Sequence, residues 1–242
     1  MSEGSSHSCW GGKDSDNESE FEESSSKDSR MEIIEGRGSM DHAIYKAAIT
    51  GNLDVFVVAL DDLEGSILDQ ISPQKNTILH IAASRGHDHL VKPILRRRQR
   101  LFKLKNSVGD LPIHLAASSR HQSTVQYLIS EAKEKDVKDG LKAANQEGNT
   151  LLHLAFKNRH KEVAKLLFVK NKEASCCLNK EDKSPMYMVV EAGYLHLVTV
   201  MITYCYNTKM NNSGKMRQGK SIVHAATETR NKGDGNFIFK FK

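Results

Sequence analysis

The segment Thr150-Leu151-Leu152-His153-Leu154-Ala155-Phe156 belongs to a set of related segments that recur along the chain. Related segments occupy residues 77–83, 111–117, 184–190 and 221–226, and residues 45–48 form a degenerate further copy. One position in each copy holds histidine or tyrosine, at Tyr45, His80, His114, His153, Tyr187 and His224. The gaps between these positions are 35, 34, 39, 34 and 37 residues. A period close to 34 residues indicates an array of structural repeats.

Each copy carries the signals of two short helices joined by a turn. Hydroxyl side chains that can cap the free amides of a helix start open four copies, at Thr77, Thr150, Ser184 and Ser221. Glycines that can adopt a left-handed conformation follow the first helix at Gly51, Gly86 and Gly193. Apolar residues then recur at spacings of three and four, as in Leu90, Val91, Ile94 and Leu95. That spacing is typical of an amphipathic second helix, so the sequence predicts an all-α fold of stacked helix pairs.

The period, the Thr-Pro-Leu-His-like core and the helix pairs resemble ankyrin repeats over about residues 40–230. The resemblance implies an ankyrin-repeat solenoid with short turn tips. Its copies would span about residues 40–71, 72–105, 106–144, 145–178 and 179–213, with a partial copy at 214–230. The run from Asn145 to Ala155 and the wide spacing between His114 and His153 further resemble plant ankyrin-repeat transmembrane proteins of the accelerated-cell-death type. Those relatives continue into a region of several membrane helices, and no such region follows in this sequence.

Four copies depart from the repeat pattern at positions that favour glycine. Arg120 and Arg159 replace the turn glycine, and Lys75 and Asp182 replace the glycine of the tip. Lysine tolerates a left-handed backbone less well than aspartate does, so we expect a distorted tip at Lys75 and sound stacking in the third and fourth copies. The charged segment 130–139 lengthens the third copy, and we expect it to be an exposed extension.

The ends of the chain differ in composition from the repeats. Residues 1–38 hold ten acidic and four basic side chains, a net charge of 4 − 10 = −6, whereas the remaining residues hold 31 basic and 20 acidic ones, a net charge of +11. The first segment is also rich in serine, so it predicts a disordered acidic tail, with phosphorylation of Ser15, Ser19 and Ser25 as a second interpretation. Residues 231–242 are expected to be a disordered C-terminal end.

The histidines and cysteines favour a structural role over a chemical one. Histidine holds the same internal position in four copies, at His80, His114, His153 and His224. The resemblance to ankyrin repeats implies that this histidine bonds to backbone and hydroxyl groups of adjacent repeats. His87 and His89 flank Asp88 but have no further ligand nearby in sequence, and the four cysteines lack metal-ligand spacing. No phosphate-binding loop or catalytic constellation is recognisable. We therefore expect no metal, no cofactor and no enzymatic activity, and free thiols in a reducing compartment.

A basic run begins on the second helix of the second copy and continues into the following loop. Its cations are Lys92, Arg96, Arg97, Arg98, Arg100, Lys103 and Lys105. The run can be a solvated helix end favoured by the helix dipole, a contact for an acidic protein or the anionic inner leaflet, or a nuclear or nucleic-acid signal. Aromatic residues for base stacking are sparse, which disfavours nucleic acid.

The resemblance implies a protein–protein interaction scaffold that binds other proteins through the concave face of the solenoid. The turn-tip and first-helix positions expected to be exposed there are Gln74, Asn76, Ser84, Arg85, Ser107, Val108, Asp110, Ser118, Ser119, Gln146, Glu147, Asn149, Lys157, Asn158, Lys180, Glu181, Lys183 and Glu191. By resemblance the process is plant defence or stress signalling in the cytoplasm, including the cytoplasmic face of the plasma membrane. One alternative is a truncated form of a membrane-bound ankyrin signalling protein that modulates full-length relatives. Another is a nuclear or nucleic-acid-associated regulator that uses the basic run 92–105. No stretch is apolar enough to predict a membrane span.

Overall fold

A computed structural model describes residues 38–61 and 67–207 of the 242-residue chain, and the side chains of residues 58–61 and 205–207 are outside the description. The described residues form eleven α-helices: α1 (His42–Thr50), α2 (Leu53–Asp61), α3 (Ile78–Arg85), α4 (Asp88–Arg97), α5 (Pro112–Ser118), α6 (Gln122–Glu131), α7 (Glu134–Lys142), α8 (Leu151–Lys157), α9 (Lys161–Lys170), α10 (Pro185–Glu191) and α11 (Leu195–Asn207). Short 3₁₀ helices occupy Ile67–Asp69, Gln99–Lys103 and Lys172–Cys176. Within these ranges the β-structure consists of isolated bridges.

The helices stack in two layers. The inner layer is formed by α1, α3, α5, α8 and α10, each of which packs against the next. The outer layer begins with α2, α4, α6 and α9, which also pack in that order, and ends at α11. Each inner helix pairs with the outer helix that follows it. The predicted all-α repeat solenoid is therefore confirmed for the described residues.

Small residues allow the inner helices to approach closely. Ala82 and Ala83 on α3, and Ala116 and Ala117 on α5, are fully buried. Larger side chains such as Leu90 and Leu128 fill the space between the two layers and are equally inaccessible. The core is continuous from α1 to α11, so each repeat completes its burial only against its neighbours.

The predicted helix signals act locally as expected. The Ser184 hydroxyl accepts a hydrogen bond from the Tyr187 N–H at 3.1 Å, and the Thr77 hydroxyl accepts one from the His80 N–H at 3.4 Å. Gly86 follows α3 with φ 73°. Arg120 and Arg159 adopt the same left-handed conformation, with φ 67° and 58°, although that region costs a non-glycine residue about 1–2 kcal/mol. The repeat geometry therefore prevails over the local preference of arginine.

The expectation of a distorted tip at Lys75 is wrong. Lys75 has φ 58°, and its N–H bonds to the Ser72 carbonyl at 2.8 Å. Gly109, at the matching position of the next repeat, has φ 79° and bonds to the Asn106 carbonyl at 3.0 Å. The lysine therefore adopts the conformation that glycine takes, and the cost is strain rather than a change of shape.

The expectation of an exposed extension at residues 130–139 is also wrong in part. Helix α7 spans Glu134–Lys142, and it buries Val137, Gly140 and Leu141. These residues are three and four positions apart, so they share one helix face. The Phe102 ring packs so close to Gly140 that a Cβ added there would lie 3.0 Å from it. Abundant charge on the opposite face concealed this amphipathic pattern.

Several sequence predictions fall outside the described residues. These are the acidic tail up to residue 37, the partial copy at 214–230 with Ser221 and His224, and the C-terminal end at 231–242.

Candidate protein-binding face

Asparagine side chains close three of the described turn tips, and in the first tip the Ser72 hydroxyl takes this place and accepts a hydrogen bond from the Asn76 N–H at 3.2 Å. The Asn106 Oδ1 accepts hydrogen bonds from the N–H groups of Val108 and Asp110 at 3.1 and 2.9 Å. Asn145 and Asn179 each accept two equivalent bonds at 3.0 Å in the next two tips. Such side-chain caps fix a turn because they replace backbone bonds that the turn cannot make.

Backbone bonds join neighbouring tips into one row. Each bond runs from a tip N–H to a carbonyl of the preceding tip: Ser107 to Gln74 at 2.9 Å, Gln146 to Val108 at 3.0 Å and Lys180 to Glu147 at 2.9 Å. The tips are thus held in fixed register along the solenoid.

Asp110 and Asn149, which we expected to be exposed, are buried with 9% and 0% exposure. The Asn145 amide donates to the Asp110 carboxylate at 2.9 Å, and the Asn179 amide donates to the Asn149 Oδ1 at 2.8 Å. In the preceding repeat, Asn106 donates to Asn76 at 2.9 Å. These side chains therefore link successive tips from within. Burial raises the pKa of Asp110, while the hydrogen bond from Asn145 opposes the shift.

The repeated histidines of the inner helices are structural, as predicted. The Nδ1 atoms of His80, His114 and His153 accept bonds from backbone N–H groups at 3.1–3.2 Å. His80 and His153 then donate from Nε2 to a carbonyl of the following repeat, Asp110 at 3.0 Å and Lys183 at 3.1 Å. The His114 Nε2 donates to the Ala143 carbonyl at 3.2 Å, at the end of its own lengthened copy. Burial lowers the pKa of all three to about 4. All three are therefore neutral hydrogen-bonding groups, and those of His80 and His153 link successive repeats.

A second set of links was missed by the sequence reasoning. In four repeats the side chain directly after the turn that ends the inner helix bonds to a carbonyl of the preceding repeat. The pairs are His87 to Ile49 at 2.8 Å, His121 to Ser84 at 3.1 Å, His160 to Ser118 at 2.8 Å and Tyr194 to Arg159 at 2.7 Å. His89 bonds separately to the Gly51 carbonyl at 2.8 Å. The neighbouring pair His87 and His89 is thus used in packing. The available signal was position, because each residue of the set follows Gly86, Gly193 or a replacement of that glycine.

The remaining predicted positions form what we call the binding face, on the tips and inner helices. Its exposed members are Gln74, Arg85, Ser107, Val108, Gln146, Glu147, Lys157, Asn158, Lys180 and Glu181, and its partly buried members are Asn76, Ser84, Ser118, Ser119, Lys183 and Glu191. Ser84 and Ser118 donate their hydroxyls to carbonyls of their own helices at 2.9 and 3.0 Å. Their donors are therefore occupied within the fold.

The charges of the binding face are largely balanced among themselves. Lys157 pairs with Glu147 at 3.2 Å. Lys183 lies 3.4 Å from Glu181 and 3.8 Å from Glu191. Val108 adds an apolar side chain that is 51% exposed at one tip. The face is thus polar, mixed in charge and poor in aromatic anchors.

The basic run contributes to packing as well as to the surface. Leu101 and Phe102, which interrupt it, are fully buried. Its cations contact acids from distant parts of the sequence: Lys92 and Arg96 contact Glu131, Arg98 and Arg100 contact Asp69, and Lys103 contacts Asp136. The run is therefore a network of ion pairs rather than a row of isolated cations.

Comparison with known proteins agrees with this geometry. A family profile described as "Ankyrin repeats (3 copies)" matches residues 79–180. The chain is also 32% identical over 75 residues to the Transient receptor potential cation channel subfamily A member 1 homolog of Caenorhabditis elegans. That match covers 31% of this chain and 6% of the relative's length. Among the described residues, none of the helices is both long enough and apolar enough to cross a bilayer. Residues 79–180 are thus ankyrin repeats.

Proposed function

We propose that the chain is a protein-binding scaffold that uses the binding face of its ankyrin repeats. The supporting observation is that the residues that join the repeats are separate from the residues that are exposed at the tips. Histidines and Asx side chains that join the repeats recur in the interior, whereas the exposed tip residues differ from copy to copy, as Gln74, Val108 and Glu147 do. A fixed backbone with variable side chains suits recognition of a specific partner surface.

The composition of the face indicates the strength of binding. Tight interfaces concentrate their energy in a few buried aromatic or arginine anchors. Here the paired charges must be desolvated, and Val108 is the large apolar side chain most exposed at the tips. The proposed partners are therefore proteins with polar surfaces that bind with modest affinity, and the proposal includes no catalysis.

The cellular setting rests on resemblance. The likeness to plant ankyrin proteins of the accelerated-cell-death type supports defence or stress signalling in the cytoplasm or at the cytoplasmic face of a membrane. A second candidate is modulation of membrane-bound ankyrin relatives, and the similarity to a cation channel homolog supports it. A nuclear role through the basic run has less support, because aromatic residues for base stacking are sparse.

Site-specific photocrosslinking tests the proposal. A photoreactive amino acid would replace Val108 on the binding face or, as a matched control, Val169 on the outer helix α9, which is 67% exposed. Irradiation in cells should attach specific proteins to position 108 and not to position 169. Crosslinks confined to position 169 would place binding on the opposite surface.

A further inference from the structure

The ion-pair network of the basic run holds more positive than negative charge. We call Lys92, Arg96, Arg98, Arg100 and Lys103, with the carboxylates that contact them, the basic cluster. Five cations there face three carboxylates, those of Asp69, Glu131 and Asp136, which leaves a net charge of 5 − 3 = +2. Two of the carboxylates each serve two cations. The pairing therefore orders the cations without neutralising them.

The two kinds of group lie at different depths. The carboxylate side chains are 10–20% exposed, whereas those of Lys92, Arg96, Arg100 and Lys103 are 43–64% exposed. The carboxylates thus anchor the cations from below, and the positive ends are presented outward. Arg96 and Lys92 converge on Glu131, so their side chains are restrained together. A preordered group of cations loses less side-chain entropy when it binds an anion.

The first described residues of the chain lie beside this cluster. The Ile71 N–H donates to the Gly38 carbonyl at 3.3 Å, and the Met40 N–H donates to the Ile71 carbonyl at 3.0 Å. Ile71 lies two residues after Asp69, which contacts Arg98 and Arg100. Two residues span at most roughly 7 Å. The point where residues 1–37 join the described structure is therefore close to the basic cluster.

We propose that the basic cluster is the docking site of the chain's own segment at residues 18–23, Glu-Ser-Glu-Phe-Glu-Glu. This segment carries four glutamates and no cation. About 15 residues separate it from Gly38, and a flexible chain of that length has a root-mean-square span of about 20 Å. Tethering at that distance gives an effective concentration on the order of millimolar. Weak charge pairing is then enough to populate the contact.

The contact gives the cluster a regulatory role beyond the proposed scaffold. An acidic protein that binds the same cations must displace residues 18–23 first. A phosphate on Ser19 would add roughly −1.5 to −2 charge to the docked segment and strengthen its hold. Acidic partners of the cluster therefore compete with residues 18–23.

Tryptophan fluorescence anisotropy in the full chain tests the contact. The chain has one tryptophan, Trp10, so the double change Trp10→Phe and Phe21→Trp moves the probe into the docking segment. At about 20 mM NaCl the anisotropy should be at least about twice its value in about 1 M NaCl, because salt screens exposed charge pairs. Arg96→Gln with Arg100→Gln in this background should give the low value at both salt concentrations.

The controls separate docking from loss of structure. Arg96→Gln and Arg100→Gln leave Lys92 on Glu131 and Arg98 on Asp69, so circular dichroism should be unchanged. Lys46→Gln with Lys170→Gln removes the same charge from exposed sites elsewhere and should keep the high anisotropy. If the cluster variant fails to fold, changing Glu18, Glu20, Glu22 and Glu23 to Gln gives the same test without altering any residue that the structure describes.

Three results would overturn the proposal. The first is equal anisotropy at both salt concentrations. The second is anisotropy that rises with protein concentration, which would mean docking between copies. The third is low anisotropy together with cosedimentation on phosphatidylserine vesicles that depends on Arg96 and Arg100, which would make the cluster a membrane contact instead.

Discussion

The three buried histidines predict a steep loss of stability in mild acid. Burial lowers the pKa of His80, His114 and His153 from 6.5 to about 4 in the folded chain. Each therefore contributes stability above pH 6.5 that is lost as the pH falls towards 4, because the unfolded chain binds the proton first. A depression of this size corresponds to about 3 kcal/mol per histidine. The three together approach on the order of 10 kcal/mol, comparable with the net stability of a whole domain.

The slope of stability against pH is the sharper observable. Between pH 6 and 5 each histidine takes up nearly one proton on unfolding, so the free energy of unfolding should fall by about 4 kcal/mol per pH unit. Asp110 acts in the opposite sense, since its raised pKa favours the folded chain as the pH falls, but it is a single group.

Urea unfolding followed by circular dichroism from pH 7.5 to 5 measures this slope. His153→Gln should reduce the slope by about a third whatever it does to stability at neutral pH, whereas His42→Gln at an exposed position should leave it unchanged. A slope below about 1 kcal/mol per pH unit would show that the buried histidines are not held neutral in the folded chain.

Further predictions concern packing and backbone strain. Leu167 is 2% exposed between the helix layers, so Leu167→Ala should cost about 2–5 kcal/mol, and a cost below about 0.5 kcal/mol in urea unfolding would mean that the helix faces are misassigned. Gly86→Ala should destabilise the chain and displace the His121 side chain, because the new Cβ would clash with the His121 ring. The left-handed φ of 73° adds backbone strain for any residue other than glycine. Arg120→Gly should instead raise the melting temperature, since it relieves about 1 kcal/mol of left-handed strain at φ 67°, and a lower melting temperature would contradict that reading of the turn.

The sequence predicts the inner helices well because their signals are local. Thr77, His80 and Gly86 mark the start, the interior link and the end of a helix within ten residues. The outer helices can be predicted from the spacing of their apolar residues. Helix α7, which follows α6, cannot, because exposed lysines and acids dominate the composition around Val137 and Leu141.

The candidate site is only partly predictable because its geometry depends on neighbouring repeats. The sequence predicts Asp110 and Asn149 as exposed tip residues. In the structure Asn145 and Asn179 of the following tips bond to them and help to bury them. The cations of the basic run likewise form ion pairs with Asp69, Glu131 and Asp136, and no local sequence pattern predicts these partners. Contacts at a separation of one repeat are set by the stacking, and a single copy does not contain that information.

Quantitative affinity purification from cells with two matched triple variants tests the binding face most directly. The first variant changes Val108, Gln146 and Lys180 on the binding face to alanine, and the second changes Val169, Gln126 and Lys170 on the outer helices, all of which are exposed. Both variants should fold like the parent chain. The proteins recovered with the parent chain should be lost from the first variant and retained by the second. Retention by the first variant with loss from the second would contradict the proposal that this ankyrin array binds its partners through its tips and inner helices.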